Sequence, residues 1–247
     1  MQLELSRPAS RLRAMPLLAY LDFTRMKQRP RWMLPLAIAA LLSGTMPAIH
    51  RAIFGPDLIA DAAVNQLEAD TGRRFPADAR DFVTEQIAAR PVLGPALIGA
   101  MVSALLILLS AVVLNIGTLI LGAEVTPGQI LAVTAVAACA ERLLRALAFG
   151  AVVAFMPPEQ VVTFDWTQVG RANLAFLEGA GATARWTTFV SSVDAITIVS
   201  VAVAAGGLMV MDRKLGAARA TLAASVWPAA GIALRVLLAG ILGLPLR

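Results

Sequence analysis

Long apolar runs are the feature that most limits how this chain can fold. Several of them contain about 20 or more residues with few charges, which is the length of helix that crosses the hydrocarbon core of a bilayer. The chain is 58% hydrophobic and only 15% charged, with a mean hydropathy of +0.75. Soluble domains have about a quarter of their residues charged, so the excess apolar surface has to face lipid. The sequence therefore predicts an integral membrane protein.

The apolar runs predict an all-α fold with five transmembrane helices. Residues 54–91, between the first and second spans, are too few to bury a core of their own. Their pattern predicts an extracytoplasmic helical hairpin that lies on the spans or on a partner. Residues 157–188 are rich in aromatic side chains and predict an interfacial loop. The five predicted spans are approximately 32–53, 92–121, 128–156, 188–211 and 218–244.

Basic residues beside the spans predict the orientation of the chain. Residues 1–31 form a basic arm, and part of it suits a helix lying along the membrane surface as well as it suits a plain tail. Because basic residues accumulate on the cytoplasmic side, the arm predicts an N-terminus in the cytoplasm and a C-terminus outside. The preference for arginine over lysine is associated with GC-rich bacterial genomes, so the bacterial cytoplasmic (inner) membrane is the expected location. The basic residues predicted to face the cytoplasm and the lipid headgroups are Arg25, Lys27, Arg29, Arg31, Arg213 and Lys214.

Five charged residues fall inside the apolar runs. Glu141, Arg142 and Arg145 share one face of the third span, and the order Glu141 to Arg145 is the i, i+4 spacing that pairs well. Asp194 and Arg235, on the fourth and fifth spans, come to a similar depth at a rise of about 1.5 Å per residue. An unpaired charge at the centre of a bilayer costs about 3 kcal/mol or more. The pattern therefore predicts a buried charge network that joins the third, fourth and fifth spans.

The sequence leaves the role of this network open. It can be structural, because a buried ion pair can specify helix register without adding stability. It can also line a polar pathway or an anionic-ligand pocket, because intramembrane charges often mark transport routes. A third interpretation is an interface with a partner inside the membrane.

Several other classes of function have no anchor in the sequence. The net charge is +5, but the positive charge gathers beside the spans and no nucleic-acid-binding motif is present. The zinc-protease, nucleophile-elbow and phosphate-loop motifs are absent, so we do not expect an enzyme. His50 and Cys139 are single residues of their types, which predicts no metal site, no cofactor and no disulfide within one chain.

The order of several loose motifs resembles the Yip1 domain family of five-helix membrane proteins. The motifs are the arm ending in Arg29–Trp32, a long second span edged by glycine, and a polar break in the third span. The most specific is the sequence Val-Asp-Ala-Ile-Thr at 193–197, followed by a short basic turn and a Trp-Pro pair at 227–228. The resemblance covers nearly the whole chain. It departs from the family at Val199, where a tryptophan is expected.

The resemblance implies an accessory or scaffolding membrane protein. Eukaryotic members of the family act in vesicle traffic with Rab GTPases, and some bacterial members accompany ABC-type exporters. The expected partners are therefore the lipid bilayer and a membrane protein, such as an ABC-type export complex or a second copy of the chain. The alternative is a small transporter or channel subunit that uses the charged cluster.

Overall fold

In a computed structural model, the chain is described at residues 23–71, 74–89, 91, 93–155 and 183–242. Within these residues the regular structure is entirely α-helical, which confirms the predicted all-α class. The basic arm up to residue 22 and most of the predicted interfacial loop lie outside the described residues. The helices are α1 (Phe23–Met26), α2 (Met33–Phe54), α3 (Pro56–Thr71), α4 (Ala77–Ala88), α5 (Leu93–Ile120), α6 (Pro127–Phe155), α7 (Ala184–Ser192), α8 (Ala195–Met211) and α9 (Ala217–Leu242).

Three of the described helices are long and apolar enough to cross a membrane: α2, α5 and most of α9. They correspond to the first, second and fifth predicted spans. Helix α6 has 29 residues but carries three charges in its middle, and α8 is a shorter apolar helix of 17 residues. Length and composition therefore support an integral membrane protein with at least these three spans.

The connection between α5 and α6 is short, and its residues cap the end of α5 and the start of α6. Gly122 has a φ of 72°, a left-handed conformation that glycine adopts without steric cost, and it ends α5. Thr126 and Gln129 then bond reciprocally, each side chain accepting from the other residue's backbone N–H, and Pro127 occupies the first turn of α6. This short turn makes α5 and α6 antiparallel neighbours.

The predicted fourth span, residues 188–211, is not one helix. It divides between α7 and α8 at Val193 and Asp194, both of which have extended backbone angles. The physical reason is the side chain of Asp194, which accepts a hydrogen bond from the backbone N–H of Thr197 at 2.7 Å and so caps the start of α8. Aspartate is among the strongest N-cap residues, and the apolar residues around it hid this signal in the sequence.

The helices pack as a bundle in which α2 lies against α5 and α6, α6 against α8, and α8 against α9. A cluster of small and branched side chains fills the contact of α6 with α8, and Val133, Val136 and Leu208 in it are fully buried. Helices α2 and α5 approach so closely at Gly44 that an added Cβ would meet the carbonyl oxygen of Ala96. Beside this contact the hydroxyls of Ser43 and Ser103 are hydrogen-bonded at 2.9 Å.

One end of the bundle gathers the segments that the sequence predicts to be cytoplasmic. The side chain of Gln129 donates to the backbone oxygen of Lys27 at 2.8 Å, which attaches the end of the arm to α6. The carboxylate of Asp212 accepts from the backbone N–H groups of Glu124 and Lys214, and these hydrogen bonds, with the nearby Lys214 and Lys27 charges, lower its pKa. The two turns are therefore joined by a charged carboxylate at neutral pH. The predicted basic residues described here, Lys27, Arg29, Arg31, Arg213 and Lys214, have exposed side chains.

Helices α3 and α4 pack against each other beyond the far end of α2. Arg80 on α4 reaches Glu68 at 3.5 Å and the side-chain oxygen of Asn65 at 2.6 Å on α3. Arg51, near the end of α2, donates to the carbonyl oxygen of Ala88 and so attaches α4 to the bundle.

Candidate functional site

A cavity of about 520 Å³ lies between α5, α6, α8 and α9. Its volume is within the range of pockets that hold small molecules, about 300–1,000 Å³. The five charged residues that the sequence places inside apolar runs all line its wall, namely Glu141, Arg142, Arg145, Asp194 and Arg235. The bundle thus brings together charges that are up to 94 positions apart in sequence (141 to 235).

Arg145 is the centre of the ion pairs in this cavity. Its Nε donates to Glu141 Oε1 at 3.1 Å, one helical turn earlier on α6. Its Nη2 donates to Asp194 Oδ2 at 2.9 Å and also reaches the hydroxyl of Thr197 at 3.5 Å. One guanidinium therefore holds the middle of α6 against the start of α8.

Both carboxylate oxygens of Asp194 accept hydrogen bonds. Its Oδ1 caps α8 through the N–H of Thr197, while its Oδ2 accepts from Arg145 and, at 3.1 Å, from the hydroxyl of Thr197. Only 5% of its side chain is exposed, against 14% for Arg145 and 24% for Glu141. A carboxylate this deeply buried depends on such partners, because an unpaired charge in a low-dielectric environment is costly.

The predicted network is only partly joined. Arg235 on α9 lines the cavity and is exposed, and it forms no ion pair with another described residue; neither does Arg142. The carboxylates of Glu141 and Asp194 are both paired with Arg145. An ion pair therefore joins α6 to α8, whereas α9 only contributes Arg235 to the cavity wall.

The wall carries an excess of positive charge. Among the described lining residues three arginines face two carboxylates, which leaves an excess of one positive charge. In addition, Nη1 of Arg145 is buried and has no hydrogen-bond partner among the described residues. A buried polar group without a partner is rare in folded proteins and calls for a water or a ligand.

The remainder of the wall is mixed in polarity. The hydroxyls of Thr134, Ser110 and Ser200 face the cavity, and each donates to a carbonyl of its own helix while keeping lone pairs to accept. Apolar side chains from α5 and α9 complete the lining, including Leu106, Ile107, Leu114, Trp227 and Ile232. The sequence analysis missed these hydroxyls and Thr197; a threonine three residues after an aspartate at a helix start is the one signal that could have indicated Thr197.

Metal chemistry has no support in the described part of the chain. No group of three or more His, Cys, Asp or Glu side chains is close enough there to hold a metal ion. The ring of His50 lies between Phe54 and Phe149, with centroids 5.0 and 5.9 Å away, and Cys139 is buried beside Ala39 and Ile107. Both residues therefore belong to the packing of α2 and α6.

Comparison with known proteins gives no relative from which a function could be transferred. No protein-family model matches the chain, and neither curated proteins nor solved structures yielded a match. The function is therefore argued from the cavity and from the side chains that line it.

Proposed function

We propose that the chain crosses the bacterial cytoplasmic membrane five times, with its N-terminus in the cytoplasm and its C-terminus outside. In this arrangement α6 is the third span and α7 with α8 the fourth. Helix α6 is about 44 Å long at 1.5 Å per residue, more than the roughly 30 Å of hydrocarbon. The position of its charges supports the assignment, because Glu141, Arg142 and Arg145 line the cavity and need not meet lipid.

Cysteine labelling tests this topology in a Cys139→Ala background, which removes the single native cysteine. Asp78 on α4 and Lys214 in the turn before α9 both have exposed side chains. In intact cells a membrane-impermeant maleimide should label Asp78→Cys but not Lys214→Cys, and permeabilised cells should show both. Labelling of Lys214→Cys in intact cells would contradict the orientation.

We propose further that the protein is a small transporter or channel subunit, with the cavity as its polar pathway. The observation that carries this proposal is the gathering of all five intramembrane charges on one cavity wall. The break at Val193 adds support, because non-helical backbone at membrane depth is tolerated where it is buried in protein or lines a cavity. Transporters commonly build their sites from such interrupted helices.

The accessory role implied by the Yip1 resemblance is the second candidate. It is favoured by the low burial of α2, α5 and α9, the three helices long and apolar enough to span a membrane, since only 17–22% of their apolar segments is buried within the chain. Much of their surface is thus available to lipid, to a second copy or to a membrane-protein partner such as an ABC-type exporter.

Purification followed by a transport assay distinguishes a transporter from an accessory protein. We expect the full chain to purify from native membranes without a stoichiometric partner, and to mediate uptake of at least one of a panel of radiolabelled organic anions in liposomes. The variant Arg235→Gln should reduce that uptake tenfold or more, whereas Arg219→Gln, on the exposed surface near the start of the same helix, should not. A stable ABC-type partner together with no uptake in liposomes would favour the accessory role instead.

A further inference from the structure

The charges of the cavity indicate which ligand it holds, an inference that rests on the proposed small-molecule site. We propose that the cavity binds an amphiphilic monoanion, with a carboxylate or phosphodiester group on the arginines and an apolar tail along α5 and α9. Such a ligand can come from two sources, a free single-chain acid or an anionic phospholipid of the surrounding membrane.

The charged residues of the cavity wall indicate the sign and size of the ligand charge. Three guanidiniums and two carboxylates leave a net charge of one positive unit, so a single negative charge neutralises the site. A cation would increase the excess, and a dianion would leave an uncompensated negative charge, which is costly in a low-dielectric environment.

Unused hydrogen-bond donors provide the place for the acidic group. Arg145 donates from Nε to Glu141 and from Nη2 to Asp194, while its buried Nη1 has no described partner. Arg142 and Arg235 line the same cavity and form no ion pair with a carboxylate in the described part of the chain. Guanidinium groups bind carboxylates and phosphates through paired N–H donors, so the two free arginines are suited to hold one oxyanion.

The other lining residues suit an apolar tail. Leu106, Ile107 and Leu114 on α5 face the cavity, as do Trp227 and Ile232 on α9. A small inorganic anion would leave these side chains without contact in a cavity of about 520 Å³. A ligand with both a charged and an apolar part uses the whole wall, as do most small-molecule sites.

The test measures equilibrium binding to the purified full-length protein in an uncharged detergent. The probe is 10-bromodecanoate, whose bromine quenches tryptophan fluorescence on contact, and Trp227 reports from the cavity wall. We expect saturable quenching that is lost in Trp227→Phe and that requires at least tenfold more probe in Arg142→Gln and in Arg235→Gln. Arg219→Gln, outside the cavity, should bind the probe as the native chain does.

Matched probes and membranes decide the remaining questions. Bromodecanol and a brominated decyl trimethylammonium should quench at least tenfold more weakly; equal quenching by either, or unchanged binding in both arginine variants, would overturn the proposal. If probe binding is weaker in nanodiscs with phosphatidylglycerol than in those with phosphatidylcholine by more than the negative surface potential lowers probe partitioning, a phospholipid is the occupant; no loss beyond that effect identifies a free acid. The quenching assay measures binding and not transport, so the two proposals can fail separately. Specific binding without liposome uptake would contradict only the proposal of a transporter. Uptake without probe binding would contradict only the proposal of an amphiphilic ligand.

Discussion

Replacing Arg145 with leucine should destabilise the protein by about 3–5 kcal/mol, the cost of removing one partner from a buried ion pair. The substitution leaves Glu141 without its ion pair with Arg145 and deprives Asp194, 5% exposed at its side chain, of the one counter-charge it has among the described residues. The expected result is a large fall in the thermal midpoint of the protein purified in detergent, measured by circular dichroism and by retention of a single peak in gel filtration.

A triple variant distinguishes the effect of unpaired buried charges from the effect of lost packing. In the triple variant Arg145→Leu, Glu141→Gln, Asp194→Asn no buried charge remains in the ion-pair group, and asparagine still caps a helix. We expect this variant to regain most of the lost stability, since neutral replacement of a whole buried ion pair is often tolerated. A triple variant as unstable as the single one would show that the arginine acts through its shape and not through its charge.

A surface pair provides the matched control for Arg145. Lys214 lies 3.3 Å from Glu124, with both side chains more than three-quarters exposed. Exposed pairs of this kind contribute about 0–1 kcal/mol. Lys214→Ala should therefore leave the thermal midpoint nearly unchanged, and an effect as large as that of Arg145→Leu would contradict the importance we give to burial.

Adding a single methyl group at Gly44 should also destabilise the bundle, by about 1–3 kcal/mol as is usual for overpacking. In Gly44→Ala the new Cβ would meet the carbonyl oxygen of Ala96 and lie 2.9 Å from the Cβ of Ala100, so α2 and α5 have to separate. Separation also lengthens the hydrogen bond between Ser43 and Ser103. The measurement is again the thermal midpoint in detergent.

Gly206 in α8 is the control for this substitution. A Cβ built there meets nothing within 4 Å, so Gly206→Ala adds a methyl group to a helix without a clash. Alanine is the better helix former by up to about 1 kcal/mol, and the variant should be as stable as the native chain or slightly more stable. Equal destabilisation by the two alanines would show that the close approach of α2 and α5 is unimportant.

Local sequence was enough to predict those features that depend on one segment. The apolar runs predict the helices, since backbone groups in lipid have to bond within their own segment. The pair formed by Glu141 and Arg145 was also predictable, because the i, i+4 spacing on one helix fixes their proximity before any tertiary contact is made. The role of Asp212 was not: the sequence indicates a charged turn, and only the packing of α6 against α8 brings the N–H of Glu124, just before α6, to its carboxylate.

Depth along a helix predicted which charges share a level of the bundle, but it could not choose partners among them. Asp194 and Arg235 lie at comparable depth on neighbouring helices, yet Arg145 bonds to Asp194 and Arg235 remains unpaired among the described residues. The choice depends on how α6, α8 and α9 are rotated about their axes, which is decided by the packing of small side chains between them. The sequence by itself determined a helical membrane protein with charges at its centre. The tertiary structure alone decided that two carboxylates converge on one arginine, and that the remaining arginines face a cavity.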